Sequence, residues 1–250
     1  MQTAPPYPAR LDGRLDEPLN RWLWLVKWLL AIPHWIVLAF LWIAFVVVSV
    51  VAFFAILITG RYPRDLFDFN VGVIRWAWRV VFYAFVLGTD RYPPFTLQSD
   101  PSYPADFQVP HPERLSRLLV LVKWWLLAIP HYLILAIFGG GIGGGGRRGG
   151  ADLVIGGGVL GGLALLAGIL LAIRTRYPRP IFEVLMGLQR WGHRVLSYSA
   201  LMRDEYPPFR LDAGGMDPGT AAVGGDSGPL GPPDEPPAPS PPPPAPPPPT

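Results

Sequence analysis

Three long apolar runs constrain the fold of this chain more than any other feature. They cover residues 22–58, 118–138 and 153–173, and charged side chains interrupt them only at Lys27 and Lys123. A helix needs about 20 apolar residues to cross the hydrocarbon core of a bilayer. Only 16% of the residues are charged, against roughly 25% in soluble domains. The pattern predicts an all-α, integral membrane protein.

Composition and charge placement exclude several functional classes. The chain has no cysteine, so disulfides, thiolate metal sites and cysteine nucleophiles are excluded. The net charge is +3, but the basic residues flank the apolar runs, as the positive-inside rule describes. That placement argues against a nucleic-acid partner. The run at 22–58 is too long for a signal peptide, so we predict that it is retained.

The sequence also indicates two tandem copies of one unit. The matched segments are Tyr7–Ala9 with Tyr103–Ala105, Leu29–His34 with Leu126–His131, Arg61–Arg64 with Arg176–Arg179, and Tyr92–Phe95 with Tyr206–Phe209. So many identities in register are typical of a duplication. We predict units at residues 7–97 and 103–211. The second unit carries one extra residue, Trp125, and a glycine-rich insertion at 139–150.

These repeated motifs carry a resemblance to a known family. Leu-Leu-Ala-Ile-Pro-His, Gly-Arg-Tyr-Pro-Arg and Asp-Arg-Tyr-Pro-Pro-Phe resemble the bacterial integral membrane family called domain of unknown function 4389. The resemblance covers both units and implies a membrane location. It implies no activity, substrate or catalytic residue. The second unit departs from the pattern at its glycine-rich insertion and at Asp204-Glu205.

The number of spanning helices follows from the lengths of the runs. In the second unit, residues 118–138 and 153–173 predict a hairpin of two spanning helices. In the first unit, 22–58 is too long for one straight crossing. Either a hairpin turns near Leu41, or an interfacial helix bends at Pro33 into one spanning helix over 35–58. We favour the hairpin by analogy with the second unit, which gives four spanning helices.

The third element of each unit has the pattern of an amphipathic helix. Asp68, Arg75 and Arg79 fall on one face at 100° per residue, and the two arginines recur as Arg190 and Arg194. We predict a helix in the membrane interface. The arginines would then contact anionic lipid headgroups or partner membrane proteins. The alternative is that the arginines pair with Asp68 or with its counterpart Glu183 and serve as general anchors in the interface.

Two lysines and two histidines fall inside apolar runs and are candidate intramembrane groups. They are Lys27, His34, Lys123 and His131. Intramembrane ionisable residues are functional candidates, but a lysine near a helix end can extend to the headgroups. Lys27 and His34 are seven residues apart, whereas Trp125 separates the second pair by eight, so we expect the shared face to be lost. Too few ligands are present for a metal site.

Small residues and terminal composition give the remaining structural predictions. Gly157, Gly161 and Gly168 share a helix face, which permits close packing within the chain or a homo-oligomer. Residues 212–250 are rich in proline and glycine, which predicts a disordered tail. The basic residues concentrate on one predicted side. They indicate a multi-pass protein of the plasma membrane with cytoplasmic termini.

The sequence predicts a non-catalytic function. The apolar segments contain no Ser–His–Asp constellation and no paired carboxylates, so we expect neither an enzyme nor a cofactor. The basic stripes favour an accessory or scaffold protein of the cell envelope that binds lipid headgroups or partner membrane proteins. The alternative is a small transporter or channel, because two repeats around a central site are a common transporter arrangement.

Overall fold

The structure is a computed structural model that describes residues 7–138, 159–174, 176–209 and 211. Within these ranges the chain is mostly helical, as predicted. The glycine-rich insertion, Gly157 and the predicted tail at 212–250 lie outside the described residues.

Nine helical segments and two short strands make up the described part of the chain. They are β1 (Arg10–Gly13), α1 (Trp24–Leu30), α2 (Ile32–Thr59), α3 (Arg64–Val81), π1 (Phe82–Val86), β2 (Ala105–Gln108), α4 (Arg117–Val122), π2 (Lys123–Leu127), α5 (Ile129–Phe138), α6 (Val159–Arg174) and α7 (Arg179–Ser199). Segments π1 and π2 are π-helical. A π-helix bonds i to i+5, so each of its turns holds more residues than an α-helical turn.

α2 is a single helix of 28 residues, so the hairpin predicted near Leu41 is wrong. The other interpretation agrees with the structure, because α1 ends at Leu30 and Pro33 lies in the first turn of α2. No glycine or proline follows Pro33 in this helix, so the two residue types that most often interrupt a helix are absent from it. α2 ends at Gly60, whose left-handed φ of 72° lets its N–H donate to the Ile56 carbonyl at 2.7 Å.

Two helical stretches among the described residues are long and apolar enough to cross a bilayer. They are Ile32–Thr59 and Arg117–Ile134, and only 17% and 22% of their most apolar windows are buried. α6 has 16 residues, short of the roughly 20 that a crossing needs. The described residues therefore give two candidate spans, whereas the sequence predicted four, and residues 153–158 of the fourth lie outside the described range. Their exposed apolar surfaces support a membrane location.

α3 and α7 occupy the interior instead of lying flat on a surface. Trp78, Arg79 and Val80 of α3 are fully buried, and α7 buries Trp191, Arg194 and Tyr198. The prediction that these helices present an exposed polar face to the membrane interface is therefore wrong at the arginines. A small sheet covers that face.

The sheet consists of β1 and β2, which pair antiparallel with Leu11 opposite Phe107. Both of these side chains are buried and belong to the main hydrophobic cluster. The all-α prediction missed the sheet. Each strand has only four residues, too few for an alternating pattern to stand out from the loops around it.

The predicted small-residue face of α6 is used, at one position, for packing within the chain. A Cβ added to Gly168 would lie 2.7 Å from an atom of the Trp24 ring of α1, so only glycine allows this approach. Gly161 is also buried. Gly168 therefore supports intramolecular packing over the homo-oligomer at this position, and the oligomer stays a prediction.

Candidate functional site

Each of the two lysines inside apolar runs is buried and paired with an aspartate. Lys27 Nζ lies 2.7 Å from Asp90 Oδ1 and donates to the Thr89 carbonyl at 2.7 Å. Lys123 Nζ lies 2.8 Å from Asp204 Oδ1 and donates to the Arg203 carbonyl at 3.1 Å. The lysines therefore turn inward to a carboxylate instead of extending to the headgroups as predicted.

Each lysine also faces an aromatic ring. Lys27 Nζ lies 5.2 Å from the centre of the Tyr83 ring, and Lys123 Nζ lies 5.7 Å from that of Tyr198. Both distances are within the range of a cation–π interaction. The two ammonium groups thus lie in separate sites of the same kind, each formed by a carboxylate, a backbone carbonyl and a tyrosine ring.

His34 is fully buried in a box of aromatic side chains. Its ring stacks on Phe95 at 4.0 Å and lies 4.8 Å from Tyr92. Trp76 Nε1 donates to His34 Nδ1 at 3.0 Å. Because Nδ1 accepts this bond, the proton of the neutral ring is on Nε2. Nε2 has no hydrogen-bond partner among the described residues.

His131 occupies a second box of the same kind. Its ring stacks on Phe209 at 4.1 Å and lies 4.9 Å from Tyr206. His131 Nε2 donates to the Pro207 carbonyl at 3.2 Å, and the Tyr206 hydroxyl lies 3.3 Å from Nδ1. The ring is therefore also protonated on Nε2 in its neutral form. The two boxes are built from the repeated Pro-His and Tyr-Pro-Pro-Phe motifs.

The expectation that Lys123 and His131 lose their shared face is wrong. Both side chains are fully buried, as are Lys27 and His34. The additional residue, Trp125, falls within π2, where the wider turn accommodates it. His131 thereby returns to the face of the helix that Lys123 occupies.

Deleting Trp125 should therefore leave the fold in place. We expect π2 to become α-helical, with His131 still stacked on Phe209 and only a small change in thermal stability. Deleting Trp28 from α1 is the matched control, because no π-helical turn there can absorb the loss. We expect the control deletion to shift Lys27 relative to His34 and to destabilise the protein strongly. Equal losses of stability in detergent for the two deletions would contradict this account.

Comparison with known proteins finds one family match, and it covers the segment that holds the first of these two sites. Residues 21–96 match the family model Domain of unknown function (DUF4389). The match confirms the resemblance over this range, which holds Lys27, His34, Asp90 and Phe95. No curated protein and no solved structure matches the chain.

Two arginines of the DUF4389 segment bind the neighbouring strand instead of facing outward. Arg79 is fully buried, and its Nη2 donates to the Gln98 carbonyl at 2.8 Å and lies 3.4 Å from Asp106 Oδ1. Arg75 Nε lies 3.0 Å from Asp106 Oδ1 and donates to the Phe107 carbonyl at 2.9 Å. The prediction that they lie on a face open to lipid headgroups is wrong, because β2 covers that face. Asp68, the predicted alternative partner, instead pairs with Arg64 at 4.0 Å.

The two arginines beyond the DUF4389 segment are buried as well. Arg190 and Arg194 are 9% and 2% exposed, so the predicted headgroup-facing position is wrong for them too. Arg190 Nε donates to the Leu11 carbonyl at 3.4 Å. Leu11 is the residue opposite Phe107 in the sheet. The helix after each candidate site therefore reaches a strand that belongs to the other predicted unit.

A partly buried histidine on α7 makes stability sensitive to acid. The His193 ring lies 5.3 Å from Trp78 and 5.6 Å from Phe107, and its Nδ1 donates to the Gln189 carbonyl at 2.8 Å. Burial lowers the pKa of His193 to about 4, against about 6.5 in an unfolded chain. The folded state thus binds fewer protons than the unfolded state between these values, and folding stability falls as pH decreases through that window.

The substitution His193→Gln should remove this component of the pH dependence. We expect the unfolding free energy of the natural protein to fall more steeply than that of the variant between pH 6.5 and pH 4, because only the natural protein must charge this ring on unfolding. Chemical unfolding in detergent at a series of pH values measures the difference. His111→Gln, at a ring that contacts the Tyr62 carbonyl, is the control. Parallel profiles for the natural protein and His193→Gln would contradict the assignment.

The geometry of these sites favours a structural role, in which they stabilise the fold, over a catalytic role. Lys27, Lys123 and Arg79, which are fully buried, each already have a carboxylate partner. Over residues 7–138, 159–174, 176–209 and 211, no group of three or more histidine or acidic side chains could hold a metal ion. The arrangement fixes the relative positions of α1, α3, the strands and the Tyr-Pro-Pro-Phe segments.

Sequence reasoning missed the anionic partners of the buried cations. Asp90 and Asp204 each lie two residues before a Tyr-Pro-Pro-Phe motif, and that repeated spacing is a signal that could have found them. Asp106 has no counterpart of this kind, since Arg10 occupies the matching place after Tyr-Pro-Ala. Its role becomes visible only once β2 is placed beside α3.

Proposed function

We propose that this chain is an integral membrane protein of the bacterial cell envelope, made of two copies of one unit. We propose further that it acts as a non-catalytic accessory or scaffold protein that contacts lipid headgroups or partner membrane proteins. The observation that carries the proposal is the contrast between exposed apolar helices and inward-facing charges.

The exposed face of α2 supports the membrane location. Phe40 is 70% exposed and Ile58 is 72% exposed, with Ile43 and Phe54 between them also open. Soluble monomers rarely expose a continuous apolar surface of this kind. Along the other face, His34, Leu38, Phe45, Ala52 and Ile56 are the buried residues of α2. The helix thus has one face packed on the protein and a wide apolar face that lipid chains would cover.

Reciprocal contacts between the predicted units support a duplication. The Tyr103 hydroxyl donates to the Arg91 carbonyl at 3.4 Å, and the Tyr7 hydroxyl donates to the Glu205 carbonyl at 3.1 Å. Each tyrosine opens one unit, and each carbonyl precedes the Tyr-Pro-Pro-Phe motif of the other. In the sheet, the corresponding residues Leu11 and Phe107 lie opposite each other. Such exchange is expected when two copies pack about a local two-fold axis.

The two π-helical segments support the same proposal. Tyr83 and Tyr92 are one residue further apart than their counterparts Tyr198 and Tyr206, and π1 overlaps the start of this interval. Trp125 is the extra residue of the second unit, and π2 contains it. Each π-helical turn thus coincides with a position where one unit is longer by one residue.

The partners of the buried charges support a scaffold over an enzyme. Lys27, Lys123 and Arg79 all bond to groups of the same chain. Their arrangement leaves the positive charges neutralised and inaccessible to a substrate. Ionisable groups paired in this way stabilise the fold of the protein within the membrane, which is what a scaffold requires.

Purification of the full chain from its own membrane in mild detergent tests this function. We expect lipid analysis to show anionic lipid enriched over the bulk membrane, or quantitative proteomics to show a membrane protein in a fixed ratio to the chain. A tagged, unrelated membrane protein of similar size is the control. Bulk lipid composition together with no partner in a fixed ratio would contradict the proposal.

A small transporter is the second candidate, because Asp204 places a carboxylate beside Lys123 within one candidate span, and Asp90 does the same beside Lys27 just before the other. Ionisable pairs at such positions occur in ion and proton pathways. Flux across proteoliposomes that disappears in His34→Ala would favour the transporter over the scaffold.

A further inference from the structure

A pocket lined by three arginines lies where the two candidate spans approach each other. Its lining includes Arg61, Arg114 and Arg117, together with Thr59 and Gly60. Thr59 ends the span Ile32–Thr59, and Arg117 begins the span Arg117–Ile134. The pocket is therefore at the point where both helices would leave the hydrocarbon on the same side.

The backbone around the pocket is fixed by contacts between the two spans. Leu115 N–H donates to the Gly60 carbonyl at 2.9 Å. A Cβ added to Gly60 would lie 3.3 Å from Arg117 Nε, so the arginine side chain passes directly over this glycine. The left-handed backbone of Gly60 and its missing side chain both contribute to the position of the guanidinium.

The three guanidinium groups have no carboxylate partner among the described residues. All three arginines are exposed, and none of them forms one of the ion pairs of the structure. Of the nearby acids, Asp204 is already used, because its Oδ2 accepts from the Ser116 N–H at 2.6 Å and its Oδ1 pairs with Lys123. Glu113 precedes Arg114 in the chain and is exposed without such a pair. The pocket thus keeps a concentrated positive charge.

Exposed apolar side chains flank these charges on both spans. Ile58 is 72% exposed and Leu118 is 78% exposed, and each is next to the pocket lining in the chain. A free phosphate would gain nothing from these side chains. A phospholipid would place its acyl chains along them and its phosphate among the arginines.

We propose that Arg61, Arg114 and Arg117 bind the headgroup phosphate of an anionic phospholipid at the membrane surface. This inference rests on the proposed membrane location and names the headgroup site, in place of the buried arginines that the sequence suggested. A corresponding pocket lies between the start of the first unit and the second unit. It is lined by Arg176 and Arg179 of the second unit, but also by Glu17 of the first. That carboxylate offsets part of the charge, so this second pocket should bind an anionic headgroup less well.

The second pocket also provides a matched control. Arg114→Gln with Arg117→Gln removes two charges from the proposed site, and Arg176→Gln with Arg179→Gln removes two charges from the other pocket. Each cation near a lipid surface contributes about fivefold in affinity, so we expect about a 30-fold loss of phosphatidylglycerol binding in the first variant. The second variant should stay within about twofold of the natural protein.

Native mass spectrometry of the full chain in micelles doped with phosphatidylglycerol or phosphatidylcholine measures this binding. We expect preference for phosphatidylglycerol, and we expect Arg114→Lys with Arg117→Lys to retain most of it. Equal binding of the two lipids, or equal losses in the two glutamine variants, would overturn the site. Competition by inorganic phosphate at the same concentration as the lipid would overturn the assignment to a phospholipid. None of these results would alter the recovery of a partner protein or the exposure of α2 to lipid. Failure of this headgroup site can therefore be distinguished from failure of the proposed function.

Discussion

Replacing Asp106 with asparagine is expected to lower the free energy of unfolding by about 3–5 kcal/mol, the cost of leaving a buried charge without its partner. Asp106 Oδ1 lies 3.0 Å from Arg75 Nε and 3.4 Å from Arg79 Nη2. Arg79 is fully buried, so water cannot replace the lost carboxylate. Asparagine keeps the size of the side chain, so the effect reports the lost charge together with the hydrogen bonds that Oδ2 accepts from Ser99 and Gln108.

Unfolding in a detergent of increasing denaturing strength measures this loss. Asp68→Asn is the control, because Asp68 also pairs with an arginine but is 65% exposed. An exposed pair of this kind typically contributes less than 1 kcal/mol. Adding Arg79→Met to Asp106→Asn should recover part of the stability, since it removes the unpaired charge. Similar effects of Asp106→Asn and Asp68→Asn would contradict the view that these arginines serve the interior.

The second large effect is expected at the buried lysine of the DUF4389 segment. Asp90→Asn should cost about 3 kcal/mol or more, because Lys27 is only 1% exposed and would keep a buried charge. Lys27→Met should cost less, because Asp90 is 27% exposed and can be hydrated when its partner is gone. The asymmetry between the two partners is the distinctive part of this prediction.

A double-mutant cycle on Lys27 and Asp90 tests it. The double variant should unfold with a free energy closer to that of the natural protein than Asp90→Asn does. The exposed pair of Arg91 and Asp16, joined at 2.9 Å, provides the control cycle. If Lys27→Met were the more damaging single substitution, the ammonium would be contributing something other than a paired buried charge.

Features set by long stretches of sequence could be predicted. The candidate spans follow from runs of apolar residues, and Pro33 indicated the bend between α1 and α2, although the hairpin was favoured. The two lysines and two histidines in these runs stand out from the sequence as unusual, and all four are buried. Hydrophobicity is a local property of the chain, so it can be read without knowing what packs against it.

Features set by tertiary pairing could not be predicted from one chain segment. From the sequence alone, the basic face of α3 is expected to contact water or lipid headgroups. In the structure, β2 covers this face. Arg75 and Arg79 contact Asp106 and backbone carbonyls that lie about 30 residues further along the chain. The same limit explains the expected loss of register at Trp125, because a π-helical turn is a response of the backbone to its packing partners.

The measurement that most directly tests the central claim is the accessibility of spin labels along α2. The chain has no cysteine, so single cysteines can be placed at Ile43, Val47, Val50 and Phe54 without interference. In lipid vesicles we predict strong relaxation of these labels by dissolved oxygen and weak relaxation by a water-soluble nickel complex, with a label at Arg61 showing the reverse. Labels on all five positions that relax mainly with the nickel complex would show that α2 faces water, and would contradict the account.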